Sequence, residues 1–119
     1  MVQRRAVLAI ALTAAIAGVH AAPSPAEQAR IERLIAYVES QTNIRFVRNG
    51  SAYSSADAAK FLRGKYKKMG EHVTTAQQFI EQIASKSSTT GEAYLIRFAD
   101  GRQVPAARFL GDELQRMDR

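Results

Sequence analysis

The apolar positions beyond residue 21 fall into short periodic groups, and the first group has the period of an α-helix. Its four members recur at i, i+3, i+4 and i+7, which places them on one stripe of an amphipathic helix. They are Ile31, Leu34, Ile35 and Val38. Ser24-Pro25-Ala26-Glu27 precedes the stripe, and an N-cap serine, a proline at the first helical position and a glutamate three residues after the cap predict a capping box. We therefore predict a helix over about residues 24–40.

Two later segments have the turn residues and the alternating pattern of β-hairpins. Residues 43–48 lead into Asn49-Gly50, a pair that favours a type I′ turn because both central residues of that turn need a positive φ. Residues 94–98 alternate in hydrophobicity, as half-buried strands do, and lead into a second turn at Asp100-Gly101. The predicted returning strands are residues 51–53 and 102–104.

A second helix is predicted between the hairpins. Ser54-Ser55-Ala56-Asp57 supplies hydroxyl caps and an acid for its first turn, and Gly70 supplies its C-terminal cap. Gly64 lies in its interior at a cost of about 1 kcal/mol relative to alanine, so we expect another group to approach closely there. The apolar face of this helix consists of Ala58, Phe61, Leu62, Tyr66 and Met69.

Two more helices complete the prediction. Thr74 or Thr75 caps the third, with Gln78 as the capping-box partner of Thr75. Pro105 limits the last strand and can start the fourth helix. The predicted fold class is α+β, with about four short helices packed on a small antiparallel sheet of two hairpins. The apolar residues of these two helices are Phe79, Ile80 and Ile83, and Phe109, Leu110, Leu114 and Met117.

The first 21 residues have the pattern of a cleavable signal peptide. Arg4 and Arg5 precede an apolar run over residues 6–19, which is shorter than the roughly 20 residues that span a bilayer. We predict cleavage after Ala21 or Ala22, which leaves residues 22–119 as one small periplasmic domain without a membrane span. The alternatives are a buried core helix or an uncleaved anchor, and the paired arginines leave a twin-arginine export route open.

Charge and composition restrict the partners of the domain. The chain carries 17 Lys and Arg against 11 Asp and Glu, a net charge of +6, and cleavage removes Arg4 and Arg5 to leave +4. This charge suits an anionic envelope polymer or an acidic protein, and export makes nucleic acid an unexpected partner. With no cysteine, the fold must depend on its hydrophobic core. Only His72 remains after cleavage, so no metal site or cofactor is predicted, and the oligomeric state stays open.

The densest basic cluster lies on the second helix, where two arcs of cations are predicted. Lys60, Arg63 and Lys67 share one side, and Lys65 and Lys68 lie on a neighbouring arc. The cluster is either an anion-binding surface or a solvated helix face. The candidate ligand-binding residues are Arg48, Lys60, Arg63, Lys65, Tyr66, Lys67, Lys86, Ser87, Ser88 and Tyr94.

The hydroxyl-rich loop of residues 85–91 permits a different chemistry. A serine there, Ser85, Ser87 or Ser88, becomes a nucleophile if a buried neutral Lys86 removes its proton. The simpler interpretation is that the hydroxyls cap the third helix and that Gly91 supplies a turn. No catalytic residue is therefore assigned. The leading hypothesis is a non-enzymatic binding module for an anionic envelope component or protein partner, and the alternative is a small Ser/Lys-type hydrolase or transferase.

Several ordered blocks of residues extend over most of the chain. The first half carries residues 46–50, Tyr53-Ser54, Ala58-Ala59 and residues 62–66. The second half carries Thr75-Ala76, Phe79-Ile80, residues 83–88, Thr90-Gly91, Tyr94 and Asp100-Gly101. These blocks resemble the YfeK-like family of small exported proteobacterial proteins, a domain of unknown function. The resemblance covers about residues 27–115 and implies export and a compact single domain. It implies no catalytic residue, cofactor or partner.

Overall fold

The helices and strands follow the order that the sequence predicts. The structure is a computed structural model that describes residues 22–119, so the predicted signal peptide of residues 1–21 lies outside the described residues. The helices are α1 (Pro25–Ser40), α2 (Ser55–Met69), α3 (Ala76–Phe79), which continues as a π-helical turn (Ile80–Ala84), and α4 (Ala106–Met117). The strands are β1 (Arg45–Arg48), β2 (Ser51–Tyr53), β3 (Leu95–Arg97) and β4 (Gln103–Pro105).

The four strands form one antiparallel sheet in the order β2-β1-β3-β4. Each hairpin contributes two strands, and the hairpins join where Phe46 of β1 pairs with Ile96 of β3. The first turn has Asn49 at φ 49° and Gly50 at φ 82°, as a type I′ turn requires. Gly101 has φ 90° in the second turn. The α+β class and the two-hairpin sheet are therefore confirmed.

The hydrophobic core lies between the helices and one face of the sheet. Phe46 and Ile96 are buried on that face, because residues directly opposite each other on paired strands point to the same side of the sheet. The stripe of α1 is fully buried against them, as its spacing predicts. On α4, Leu110 and Leu114 are buried, while Phe109 is half-buried against Tyr37 with ring centroids 5.4 Å apart.

Both predicted capping boxes are wrong in the same respect. The cap hydroxyls behave as expected, since Ser24 Oγ accepts from Glu27 N at 3.2 Å and Thr75 Oγ1 accepts from Gln78 N at 3.1 Å. The Glu27 carboxylate does not turn back to its own cap, because the free N–H of Ala76 at the start of α3 lies 2.7 Å from Oε1. Gln78 Oε1 accepts from Thr74 N at 2.7 Å.

Of the two expectations about glycines of α2, one is wrong and the other is confirmed. A Cβ built on Gly64 meets nothing within 4 Å, so the predicted close approach is wrong, and Gly64 faces open space. Gly70 does end the helix, and its N–H donates to Tyr66 O at 2.8 Å. A Cβ on Gly70 would collide with the ring and carbonyl of Tyr66, which explains glycine at this position without a positive φ.

Candidate functional site

A cavity of about 370 Å³ opens between α2, the end of β1 and the loop that follows the π-helical turn. We call it the basic cleft. One wall comes from α2, where Phe61, Gly64, Lys65 and Lys68 recur at i, i+3, i+4 and i+7 and therefore share a face. The lining residues are Arg48, Asn49, Phe61, Gly64, Lys65, Lys68, Met69, Ser87, Ser88, Thr89 and Tyr94.

Lys65 is a buried cation in this wall, although the sequence placed it in a surface cluster. Its side chain is only 7% exposed, and its Nζ donates to Lys86 O at 2.8 Å and to Tyr94 Oη at 3.0 Å. Within residues 22–119 no carboxylate forms an ion pair with it. Burial lowers the pKa of Lys65, and the nearby positive charge of Arg48 lowers it further.

Tyr94 forms the base of the cleft between Lys65 and the aromatic core. Its ring is 2% exposed and meets Phe61 edge-on, with centroids 5.7 Å apart. The Lys65 ammonium also lies 4.8 Å from the centroid of the Tyr94 ring, within range of a cation–π contact. Burial raises the pKa of Tyr94, and Arg48 partly offsets that rise. Tyr94 therefore stays a neutral hydroxyl that can accept from Lys65.

Arg48 closes one end of the cleft and is held mainly by aromatic rings. Its guanidinium carbon lies 4.4 Å from the centroid of the Phe61 ring and 5.4 Å from that of Tyr53. Nη1 donates to Tyr53 Oη at 3.4 Å. In the described part of the chain no Asp or Glu pairs with Arg48, so its charge remains available to a ligand.

The hydroxyl-rich loop forms the opposite wall, and Ser87 is its internal anchor. Ser87 is buried, and its Oγ accepts from Thr89 N at 3.2 Å and from Thr90 N at 3.3 Å. Asn49 connects the loop to the first hairpin, since its Nδ2 donates to Ser87 Oγ at 3.4 Å and its Oδ1 accepts from Thr90 Oγ1 at 2.7 Å. Ser85 Oγ donates to Glu81 O at 2.7 Å, the helix-capping role predicted for the loop hydroxyls.

The residues of the Ser/Lys hypothesis have different surroundings. Lys86 is exposed, and it contributes its backbone carbonyl, not its ammonium, to the hydrogen bonds around the cleft. The hydroxyl of Ser87 already accepts two backbone N–H groups. Ser88 is exposed at the rim. The buried lysine of this region is Lys65, which lies on another element.

Half of the predicted binding residues line the basic cleft. These are Arg48, Lys65, Ser87, Ser88 and Tyr94. Lys60, Lys67 and Lys86 are exposed and do not line it. Arg63 faces α1, where it lies 3.7 Å from Glu32 and 3.6 Å from Glu39. Tyr66 packs edge-on against Phe79 with centroids 5.5 Å apart, which makes it a core residue.

The remaining lining residues were not in the predicted binding set. The sequence predicts Lys68 in the basic cluster only, and it predicts Phe61 and Met69 on the apolar face of α2. Phe61 does reach the core, but Met69 is 50% exposed at the rim of the cleft. Asn49, Gly64 and Thr89 complete the set that was missed. One feature of the sequence could have indicated these residues. Phe61, Gly64, Lys65 and Lys68 have helical spacing, so apolar and basic residues share one face of α2.

The described residues offer neither a metal-binding cluster nor a membrane-spanning helix. Between residues 22 and 119, no three His, Cys, Asp or Glu residues are grouped so that they could hold a metal ion. In the same range, no helix has the length and apolar character to cross a membrane. His72 lies exposed between α2 and α3.

Comparison with known proteins gives the family of the chain. Residues 25–118 match the family described as Family of unknown function (DUF5329). Over 68 residues the chain is 38% identical to the uncharacterized protein YfeK of Salmonella typhimurium, and the match covers 57% of this chain and 57% of that relative. No solved structure matches the chain. The resemblance to YfeK-like proteins is confirmed, and the chain belongs to the DUF5329 family of unknown function.

Proposed function

We propose that the protein is an exported, non-enzymatic binding module that holds an anionic envelope component or an acidic protein partner in the basic cleft. The observation that carries this proposal is the charge of the lining. Arg48, Lys65 and Lys68 line one cavity, and no Asp or Glu lines it. A cavity of one charge sign with partly apolar walls raises the local concentration of ligands of the opposite sign.

Lys65 adds an energetic reason for an anionic ligand. A buried ammonium without a counter-ion loses hydration that two neutral acceptors replace only in part. An ammonium has three N–H donors, and Lys86 O and Tyr94 Oη occupy two of them. An anion in the cleft accepts from the third donor and supplies the missing negative charge. Binding is favoured over Ser/Lys catalysis because Lys86 is exposed and the hydroxyl of Ser87 is engaged within its own loop.

Adjacent lysines of α2 provide a matched test. Lys68 lines the cleft, whereas Lys67 is exposed outside it on the same helical turn. Lys68→Glu and Lys67→Glu change the net charge equally, so any difference between them reports the cleft. We expect Lys68→Glu to weaken binding of a fluorescent polyglutamate probe about tenfold, which corresponds to about 1.4 kcal/mol. Lys67→Glu should weaken it by less than about threefold at moderate salt, where long-range charge effects are screened.

The same variants should behave differently in capture from envelope extracts. The wild type and the Lys67→Glu variant retain an anionic component at low and at moderate salt, and the Lys68→Glu variant loses it. Equal weakening by both substitutions would mean that only net charge matters. If the wild type binds neither the polyglutamate probe nor an anionic envelope component, the proposal is wrong.

Periplasmic location is part of the proposal and has its own test. Mass spectrometry of the exported protein should find a chain that begins at Ala22 or Pro23. A chain that still begins at Met1 would contradict cleavage. Substitution of Arg4 and Arg5 by lysine keeps the charge of the signal, so export should persist by the general secretory route and stop only if the twin-arginine route is used.

A further inference from the structure

The α2 wall of the basic cleft presents apolar surface beside its basic side chains. The ring of Phe61 and the half-exposed side chain of Met69 line the cavity beside Lys65 and Lys68. A small, fully hydrated anion would gain nothing from these apolar surfaces. A ligand that combines an anionic group with an apolar body would use both kinds of wall.

A second cavity of about 210 Å³ lies on the far side of the Arg48 side chain. Arg48 and Phe61 line both cavities, so they form the partition between them. The second cavity is walled mainly by aromatic and aliphatic groups, including Phe46 and Ala58. If the Arg48 side chain moved, the two cavities would join across the ring of Phe61 into one groove along α2.

The contacts of Arg48 permit this movement. It is half-buried, its hydrogen bond to Tyr53 Oη is long at 3.4 Å, and its other contacts are stacking contacts with rings. Among residues 22–119 no carboxylate fixes the guanidinium in place. Arginine can also keep its charge at the rim while its aliphatic stem covers an apolar chain.

The groove is electrically asymmetric along α2. Lys68 lies at one end and Asp57, which lines the second cavity, lies at the other. The eleven-residue separation corresponds to about 16 Å of helix at 1.5 Å per residue. An anionic head group is attracted to the Lys68 end and repelled by the carboxylate of Asp57. The apolar part of the ligand therefore extends from Lys68 towards Ala58.

We propose that the ligand is a linear anionic amphiphile whose head group binds Lys65 and Lys68 and whose apolar chain runs over Phe61 past Arg48 into the second cavity. Arg48 is then the side chain that must move aside before a long chain reaches the second cavity. This inference rests on the proposed function of the basic cleft and names its ligand class. A carboxylate and a phosphate head group share the required chemistry.

The test is calorimetric titration with straight-chain carboxylates of increasing length, all below their micellar concentrations. The affinity should rise about fourfold per added methylene, the factor that corresponds to burial of one such group, and then level off when the groove is full. Alkyl phosphates of the same lengths identify the preferred head group. Alkyl alcohols and alkyltrimethylammonium ions should bind far more weakly, because they lack the negative charge.

Two substitutions of Arg48 separate its roles. Arg48→Ala removes the side chain that must move aside, so the affinity for long chains should rise relative to the affinity for short chains. Arg48→Met keeps a long side chain without charge, so it should weaken all lengths alike and leave the limiting length unchanged. Far-ultraviolet circular dichroism of both variants checks that the fold persists. If the affinity depends on chain length in the same way in both variants, the role given to Arg48 is wrong.

The outcomes also distinguish this inference from the proposed function. If short and long carboxylates bind equally well and Lys68→Glu weakens the binding of both, the cleft binds anions and the inference of an amphiphilic ligand is wrong. If carboxylates and alcohols of equal length bind equally well, the charge argument fails and both proposals fall. If no carboxylate binds while polyglutamate does, the partner is an acidic polymer and the inference is overturned.

Discussion

Glu27 connects the beginnings of two helices through a single carboxylate. Its backbone N–H donates to the cap of α1, while Oε1 accepts from Ala76 N of α3 and Oε2 accepts from Arg30 at 2.7 Å. The Ala76 N–H lowers the pKa of Glu27 most, Arg30 lowers it further, and burial opposes both. The negative charge also complements the positive end of the α3 dipole.

Substitution of Glu27 should separate the charge from the hydrogen bond. Glu27→Gln can still accept from Ala76 N, so we expect a loss of about 1 kcal/mol in the free energy of unfolding at neutral pH. Glu27→Ala leaves that N–H without its acceptor and should cost about 2 kcal/mol. Glu32→Gln, on the exposed side of the same helix, is the control and should cost almost nothing. Urea denaturation measures all three.

The pH dependence of the Glu27 contribution has a defined sign. Because its folded-state pKa is lowered, the contribution is fully present above the ordinary value of 4.5 and is lost as the pH falls through the lowered pKa. The difference in the free energy of unfolding between the wild type and Glu27→Gln should therefore shrink below pH 4.5. A difference that stays constant down to strong acid would mean that the Glu27 charge contributes nothing.

Lys65 should make anion binding sensitive to alkaline pH. An anion favours the ammonium form, and the lowered pKa means that Lys65 loses its proton below the ordinary value of 10.5. Wild-type affinity for a short carboxylate should fall with rising pH in that window, whereas Lys65→Met should bind more weakly at neutral pH and show a flatter profile. Lys60→Met, outside the cleft on the same helix, should retain the wild-type profile in calorimetric titrations.

The lowered pKa of Lys65 also affects the free energy of unfolding, which changes with pH in the opposite direction to the affinity for anions. Between the lowered pKa of Lys65 and 10.5 the unfolded chain binds more protons than the folded chain, so this group makes the free energy of unfolding rise with pH. Burial raises the pKa of Tyr37, Tyr66 and Tyr94, so near and above pH 10 these groups make stability fall instead. The contribution of Lys65 is therefore measured as the difference in the free energy of unfolding between the wild type and Lys65→Met as the pH is raised.

At the scale of the element, local sequence patterns predicted the helices and turns well. The i, i+3, i+4, i+7 stripe of α1 is buried as a unit, and Asn49-Gly50 adopts the positive φ angles of its turn. These features depend on neighbours within about four residues, so they can be read locally. The capping boxes failed because the side chains of Glu27 and Gln78 had other donors within reach.

The arrangement of the basic cleft could not be predicted in the same way. Its walls come from residues 48–49, 61–69 and 87–94, which meet because β1 pairs with β3 and because Asn49 holds the hydroxyl-rich loop. Helical spacing separated the arc of Lys65 and Lys68 from that of Lys60, Arg63 and Lys67. It did not indicate which arc meets another element, and in the structure Lys65 and Lys68 line the basic cleft whereas Lys60, Arg63 and Lys67 do not.

Gly64 offers a test of α2 that separates stability from binding. It is exposed and mid-helical, and a Cβ there meets nothing within 4 Å. Gly64→Ala should therefore raise the free energy of unfolding by about 1 kcal/mol, because alanine loses less backbone entropy in a helix. Gly111 lies in α4 with equally open surroundings, so Gly111→Ala should stabilise by a similar amount.

The two glycine variants should differ in ligand binding. Gly64 lines the cleft, so a methyl group there narrows it, whereas Gly111 is not among its lining residues. We expect Gly64→Ala to change the affinity for a carboxylate and Gly111→Ala to leave it unchanged, as calorimetric titration can measure. An unchanged affinity in both variants would place the bound ligand away from this stretch of α2.

At the scale of the whole molecule, the described residues form a structure whose two ends are tied together. The core extends from Ile31 to Leu114, and Arg30 bridges Glu27 and Asp118, with its Nη2 only 2.6 Å from the Asp118 carboxylate. The chain from α1 to the end of α4 therefore contains both its core and the polar contacts that join its ends. We expect this part of the chain to fold by itself.

Two truncated chains test that expectation. A chain of residues 22–119 keeps every contact described above, so its urea unfolding should be a single transition with the same free energy as that of the full chain. A chain of residues 31–119 keeps the core stripe of α1 but loses Glu27 and Arg30, and with them the cap of α3 and the bridge to Asp118. It should be less stable by at least about 2 kcal/mol, since both contacts are charge-assisted. If the first truncation proved as costly as the second, residues 1–21 would belong to the folded domain, and the signal-peptide interpretation would fail with it.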